Sequence, residues 1–519
     1  MASTPVRMGE LVATLALAQD NSFGQPLESQ LRSCLLAMWF ADEAGFDPDL
    51  RATVYWVALL RYIGCTGHAH EVATVFGDEI AIRAQTLVHD SANPAEVMHD
   101  AIAFATAGRP ADEHDQIVRM LEEGVQAWAV HNFASGCEVG DMLVERLGLD
   151  GAVREALAFT FERWNGSGYP HGRSGEEIPP AMRVVHLTHD MEAIARLFSP
   201  DRALAAAADR RGRTYDPASA DVFTTHGMRW FDRLDKLDPW DAVLDLEPEP
   251  HRMLDGAELD DALTVVADFV DLKSPYLAGF SRRCAQLAAD AARLIGLDSE
   301  EMTLLHRAGL VHDFGITAVP NSILDKTGPL TRSEVDRFEL HPMLTEQMLR
   351  RTPGLAALNP VAAAHHERAD GSGYHKGLGS AACHPCASVL AVADTYVGLT
   401  TGRADRPALS GTLATSELRR LAAGGIFETT STDAVLSAAG HDGSGIRKTR
   451  RPQHPGGLTG REVEVLRLAA RGLTTQEIAD RLYISPKTAD HHIQHVYNKL
   501  QVSTRAAAAL WAMQHGLVR

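Results

Sequence analysis

No apolar run in this 519-residue chain reaches the length of about 20 residues that a membrane-crossing helix needs. Leu11 to Ala18 resembles a short signal core, but Glu10 precedes it and little positive charge does, so the segment reads better as the first turns of a buried helix. Cysteine is sparse. The six lie at positions 34, 65, 137, 284, 383 and 386 with no framework spacing, which argues against a disulfide scaffold and for a reducing cytoplasm. The one Cys-x-x-Cys, Cys383-His384-Pro385-Cys386, has no partner pair for a zinc site and reads as part of a loop. Alternating β-branched runs are scarce too. Ala, Leu, Arg and Glu dominate, and apolar residues recur at spacings of three and four, so the expected fold class is all-α.

Positive charge is in short supply. A formal net charge of −19 argues against the whole molecule coating nucleic acid, yet the charge is uneven. From Gly443 to Arg519 there are 12 Lys+Arg against 5 Asp+Glu, which leaves −26 for the remainder. A small basic tail on a large acidic body fits a regulator with one nucleic-acid-binding module.

What the chain does have is concentrated between Leu304 and Leu399, where imidazoles and carboxylates interrupt segments that otherwise read as buried helix. These are His312-Asp313, His341-Pro342, His365-His366-Glu367-Arg368-Ala369-Asp370-Gly371-Ser372-Gly373-Tyr374, and Asp394 inside Val389 to Tyr396. Burying such groups is costly unless something compensates them, and a divalent metal compensates several at once. Histidine nitrogen mixed with aspartate oxygen, and no thiolate at these positions, suits Fe, Mn or Zn. Two adjacent pairs, His312-Asp313 and His365-His366, can serve two sites, so one or two ions are expected.

The stretch resembles the HD-GYP branch of the HD phosphohydrolases, which hydrolyse cyclic di-GMP at a metal centre. The resemblance implies that His312 and Asp313 are the signature pair, with Asp313 bridging and Asp313 the catalytic candidate. It makes His341, His365 and His366 ligands of a second metal and Asp394 the closing ligand of the first. Gly371, Gly373 and Tyr374 fall in the loop beside the phosphodiester. Three positions depart from the family pattern: Phe280 stands where a metal-binding histidine is usual, Ile316 where a lysine would meet substrate phosphate, and His375 where proline follows the tyrosine. The first two argue for weak or lost hydrolysis.

The chain also contains a repeat whose period is a whole domain. Phe161 to Pro170 matches His366 to His375 nearly step for step, Ala58 to Gly64 stands where Gly309 to Gly315 stands, and Glu43 to Pro48 parallels Leu294 to Ser299. In the first copy Arg61-Tyr62 replaces the signature pair, Thr160-Phe161 the histidine pair, and His189 the position of Asp394, so no metal is expected there. Extra residues between Gly64 and Gly166 include Cys65-Thr66-Gly67-His68-Ala69-His70-Glu71, readable as a different metal or ligand site or as solvated and capping histidines.

Beyond Gly440 the composition turns Gly/Pro-rich and basic, as in a flexible linker that can touch phosphates. Four helix starts follow. Thr459 with Glu462 and Thr474 with Glu477 form capping boxes, Ser485-Pro486 is a cap with first-turn proline, Gly472 can end the first helix, and Ser503 is placed to cap the last. The short turn from Leu482 to Ser485 predicts a helix-turn-helix. Leu458-Thr459, Arg461-Glu462, Leu473-Thr474, Glu477-Ile478-Ala479, Ile484-Ser485, Thr488 and Lys499-Leu500 together resemble the LuxR-type DNA-binding domain. On the recognition helix Ala489, Ile493, Val496 and Leu500 form the buried face. His491, Gln494 and His495, with Lys487, Thr488 and Asp490 near the N-terminus, form the DNA-binding face. Lys487, Thr488 and Lys499 are the phosphate candidates. The Ala506 to Trp511 face of the last helix reads either as a dimerisation face or as intramolecular core.

The expected organisation is a degenerate HD-GYP-like domain over 8–200, a partly helical connector over 201–254, and an HD-GYP-like domain with a partial metal site over 255–440. A basic linker over 441–457 and the LuxR-type domain over 458–519 complete it. The expected function is a cytoplasmic transcriptional regulator whose partners are double-stranded DNA, a cyclic nucleotide or other phosphate ligand, and a second copy of the chain on DNA, with no membrane. The alternative is a metal-dependent phosphodiesterase.

Overall fold

Asp47 before Pro48 and Asp298 before Ser299 accept hydrogen bonds from first-turn backbone N–H groups, so the helices Pro48–Leu60 and Ser299–Val311 begin in the same way. The correspondence extends much further. In the computed structural model, which describes residues 5–441 and 454–518, two compact units fall at Val6–Leu254 and from Asp255 onward. Both are built of helices. The one small sheet among the described residues pairs Val6–Arg7 with Met253–Leu254, antiparallel, inside the first unit. No helix among the described residues is long and apolar enough to cross a membrane.

In the first unit the helix Ser29–Glu43 packs on Pro48–Leu60 and on Pro180–Leu197. In the second, Phe280–Leu294 packs in the same way on Ser299–Val311 and Pro385–Thr400. A buried carboxyl anchors the central helix in each: Asp20 Oδ1 accepts from Gln30 N at 3.0 Å, and Asp271 Oδ2 accepts from Ser281 N at 3.0 Å. Burial pushes both carboxyls up, Asp271 to about 8, so each has a neutral form to hold in the dry core. The Gly-Ser-Gly loops are likewise hung on one carboxylate apiece. Glu162 accepts from His171 N (2.8 Å) and Arg173 N (2.9 Å), and Glu367 from Lys376 N (2.8 Å) and Leu378 N (2.7 Å), at matching places in the two repeats.

Two glycines mark where backbones meet. A Cβ on Gly315 would lie 2.0 Å from His341 O, and one on Gly64 would lie 1.8 Å from Gly136 O. Gly136, within the helix Ala111–Arg146, is therefore the first repeat's counterpart of His341, and the extra residues of that copy enter between Gly64 and Gly136. They form the helices Ala69–Phe76, Glu79–Thr86 and Pro94–Thr106 and the start of Ala111–Arg146, which share a small apolar core of Val72, Phe76, Ile82, Ala105 and Leu121.

The stretch 201–254, expected as a partly helical connector, is helical and belongs to the first unit, with the helices Pro200–Asp209, Pro217–Leu234 and Pro239–Asp245. The reason is burial, because Phe223, Trp230, Phe231 and Trp240 are all in the core. Of the basic linker, residues 442–453 lie outside the described residues, and Pro455–Gly457 forms a 3-10 turn.

The C-terminal helices are Gly460–Ala470, Thr475–Leu482, Pro486–Leu500 and Arg505–Gln514. Both capping boxes form, as does the Ser485 cap. The last helix is capped by Thr504 rather than Ser503: its side chain accepts from Ala507 N, and the chain turns helical one residue later than the sequence suggested. The Ala508, Ala509, Ala512 and Met513 face is intramolecular core, packed with Val463, Leu466, Val496 and Leu500. Leu272 and Ala278 of the second repeat join that cluster, and a Cβ on Gly472 would lie 2.9 Å from Pro275. The second repeat and the C-terminal helices therefore share apolar surface.

Candidate functional site

Six side chains predicted as ligands arrive from four places. His312 and Asp313 end the helix Ser299–Val311, His341 opens His341–Arg351, His365 and His366 follow the short helix Asn359–Ala362, and Asp394 lies within Pro385–Thr400. Their packing brings all six together. His312, His341 and His365 are fully buried, and Asp313 and Asp394 nearly so.

Each of the three buried histidines has its Nδ1 against the carbonyl three residues earlier: His312 on Gly309 O (2.8 Å), His341 on Phe338 O (2.7 Å) and His365 on Ala362 O (2.6 Å). Those bonds place the proton on Nδ1 and leave the Nε2 lone pair facing inward, the arrangement that a ligating imidazole needs. The Nε2 atoms of His341 and His365 stand only 3.1 Å apart. Two lone pairs that close repel unless a proton or cation lies between them. Asp313 sits in the middle, with Oδ1 at 3.4 Å from the Nε2 of both His341 and His365 and Oδ2 at 3.5 Å from that of His312. Asp394 faces His312 Nε2 at 3.5 Å and His366 Nδ1 at 3.9 Å. His312 Nε2 and His366 Nδ1 are buried with no hydrogen-bond partner, which is costly unless another acceptor of their lone pairs is present. The donor set therefore fits divalent metal, with His341, His365 and His366 in one group and His312, Asp313 and His365 in another.

Electrostatics inside the cluster are tightly linked. Burial opposes charge on Asp313, but His312, His341 and His365 hold its carboxyl well below the usual range. Burial also opposes a cation at His312, and Asp313 and Asp394 outweigh it, lifting that imidazole above its usual range. His365 and His366 are pushed down, by burial first. Tyr374 lies over His366, ring centroids 4.6 Å apart and 29° between planes, so the Gly371-Ser372-Gly373-Tyr374 loop closes one side. Phe280 stacks on His312 at 6.1 Å, and Ile316 is buried. His375 is turned to Glu346, 3.0 Å away.

One residue at this site escaped sequence reasoning. Cys284, a turn beyond Phe280, lies with His312 and Asp394 in a third group of metal-ligand type, so a thiol is present after all. The visible signal was its spacing of four from Phe280, which puts both on one helix face.

The first repeat shows what replaces the cluster. Arg61 takes the place of His312, its Nη1 3.7 Å from Asp190 Oδ1, with both side chains buried. Tyr62, in the place of Asp313, stacks on Phe23 at 3.9 Å and meets His189 edge-on, while Phe161, in the place of His366, stacks on Phe133 at 4.2 Å. Burial, followed by Arg61, pushes His189 down to about 4. In the insert, Cys65 and His68 are buried, and burial pushes His68 down to about 3. They form no group of metal-ligand type among the described residues.

On the recognition helix Pro486–Leu500, Ala489, Ile493, Val496 and Leu500 are buried, and Lys487, Thr488, Asp490, His491, Gln494 and His495 are exposed on the other side. Lys499 needs a correction. Its Nζ is 2.6 Å from Glu462 Oε2 and 3.2 Å from Gly457 O, so it compensates a buried carboxylate rather than waiting for phosphate. Tyr483, with φ 54° in the turn before this helix and 96 % exposed, was not singled out from the sequence.

Comparison with known proteins accords with this geometry. The HD domain family matches residues 134–219 and 264–426, and the luxR family of bacterial regulatory proteins matches 457–512. The chain is 28 % identical over 411 residues to 3′3′-cGAMP-specific phosphodiesterase 3 of Vibrio cholerae, covering 78 % of this chain and 88 % of that protein. It is 32 % identical over 182 residues to the cyclic di-GMP phosphodiesterase response regulator RpfG of Xanthomonas campestris, 34 % of this chain and 47 % of that one. The crystal structure of a cyclic GMP-AMP-specific phosphodiesterase of V. cholerae, V-cGAP3, superimposes with a TM-score of 0.59 at 24 % identity, over 84 % of this chain and 98 % of that chain, and shows the shared fold.

Proposed function

Since the chain carries HD-type helical domains followed by a LuxR-type DNA-binding domain, we propose that it is a transcriptional regulator whose second HD repeat reports a bound ligand to the DNA-binding helices. One observation carries this reading. Ala278 belongs to the apolar cluster of the C-terminal helices, and Phe280, two residues on, stacks against His312. A change at the ligand cluster and a change at the DNA-binding helices thus bear on the same helix start, which is a physical element that both can bias.

His312, Asp313, His341, His365, His366 and Asp394 would hold one or two divalent ions. When bound, such ions supply positive charge for phosphoryl oxygens and activate water. Tyr374 and the glycines beside it border the place where a phosphodiester would lie. The ligand class we propose is a cyclic dinucleotide, in keeping with the relatives' substrates. Gln494 and Asp490 are proposed to read base edges, with Lys487 and Thr488 on phosphate. The protein would act on DNA as a homodimer through surface other than the Ala508 to Met513 face, which core packing occupies.

A second reading, that the protein is a phosphodiesterase, is supported by the six convergent ligands and by both relatives. Against it stand Phe280, which supplies no donor, and Ile316, which puts no cation at the phosphate; losing one such group typically costs on the order of a hundredfold in rate. We expect weak or absent hydrolysis of cyclic di-GMP and 3′3′-cGAMP. Phe280→His with Ile316→Lys should raise it, and strong wild-type turnover abolished by Asp313→Ala would establish the enzyme instead. For DNA, Gln494→Ala should cost about 1–3 kcal/mol on the selected operator and little on random sequence. Equal loss on both would remove Gln494 as a reader.

A further inference from the structure

The helix Phe280–Leu294 lies across the cluster, and the first of its side chains to meet it is Phe280, which supplies no donor. One turn on is Cys284, fully buried on the same face. Its Sγ, a ring nitrogen of His312 and a carboxylate oxygen of Asp394 all lie within 4.8 Å of one another. Ligand atoms around one tetrahedral ion stand roughly 3.3–3.7 Å apart for bonds of about 2.0–2.3 Å, so a small inward shift completes the set. His312 independently points to an ion there. Its Nδ1 is held by Gly309 O, and its Nε2 is buried without a hydrogen-bond partner. Phe280 and Val397 pack beside the sulfur and exclude water from it. In the first repeat, which has lost the corresponding histidine and aspartate, the residue at this place is Ser33.

We propose that Cys284 is a metal ligand, completing a Cys-His-Asp site with His312 and Asp394. The ion replaces the thiol proton, which leaves to solvent, so the site carries thiolate and carboxylate together. A soft sulfur donor turns selectivity toward zinc, iron and cobalt and away from manganese. The inference rests on the metal reading of the second repeat, and the test separates the two.

Full-length protein stripped of metal is titrated with cobalt(II), followed by elemental analysis and near-ultraviolet absorption. The wild type should show thiolate-to-cobalt charge transfer. Cys284→Ser should lose that band and bind this cobalt at least about tenfold more weakly. Cys284→His should keep the metal without the band, and Cys383→Ser with Cys386→Ser should leave the band intact. Cobalt bound by the wild type without the band, or a band surviving Cys284→Ser, overturns Cys284 as ligand and leaves the metal reading standing. No cobalt bound at all overturns both. Should Cys284→Ser fail to fold, the wild-type band, followed through serine variants of the other five cysteines, decides the matter.

Discussion

The two HD repeats share their scaffold and differ at its centre. Asp20 and Asp271 anchor the same helix, Glu162 and Glu367 hang the same loop, and Gly64 and Gly315 make the same close approach. Yet one centre is a ring of imidazoles and carboxylates with unpartnered nitrogens, and the other is an arginine, an aspartate and stacked aromatic rings. The difference teaches how a metal site can be lost without losing the fold. A buried cluster of donors needs positive charge, and the Arg61 guanidinium beside Asp190 provides it from within the chain. Apolar rings pack around that pair.

The largest effect that would test this contrast is on metal content. His365→Ala with His366→Ala should abolish metal binding at the second group, read by elemental analysis of anaerobically purified protein. Thr160→His with Phe161→His should create none, because the Arg61 cation still stands in the place of His312 and Gly136 offers no donor. Metal gained by the latter variant would break the comparison. Next in size is Arg61→Ala. It strands Asp190 in the core, and breaking a buried pair typically costs about 3–5 kcal/mol. Chemical denaturation should show the first unit destabilised by that order, with metal content unchanged. A loss under about 1 kcal/mol would mean that Asp190 is satisfied by Tyr215 and His189 alone.

Coupling to DNA should be smaller and one-sided. His341→Ala is expected to change operator affinity by roughly fivefold or more, whereas Thr160→Ala should leave it unchanged, as measured by fluorescence anisotropy. Equal effects would place the sensor in the wrong repeat. The first repeat should also show a pH dependence of its own. His189, at about 4 in the folded chain against the usual 6.5, takes its proton first in the unfolded chain. Stability of the first unit should therefore fall as pH drops from 6.5 to 4, with a slope of at most about 1.4 kcal/mol per pH unit from this group. His189→Gln should flatten that slope, and an unchanged profile would exclude His189 as its source.

Much of this molecule was legible in order along the chain. Helix starts at Thr459, Thr474 and Ser485 depend on side chains three residues from the amides that they cap, and the repeat is visible because Gly-Ser-Gly loops survive in both copies. The expected connector was misjudged because Trp230 packs against Phe40, far away in sequence, and the cap at Thr504 because a Ser-Thr pair offers two hydroxyls for one role. Lys499 looked free for phosphate until Glu462, distant in sequence, was seen beside it.

The sequence by itself determined the helical class, the repeat, the six histidine and aspartate candidates and the DNA-binding module, since periodicity, capping and motif spacing act over a few residues. Only the tertiary structure decided that Gly136 answers to His341, that Arg61 meets Asp190, that Cys284 faces His312 and Asp394, and that Ala278 joins the DNA-binding core to the metal-site helix. Each of these depends on which helix faces pack together, and that is settled by burial summed over the whole core rather than by any local pattern.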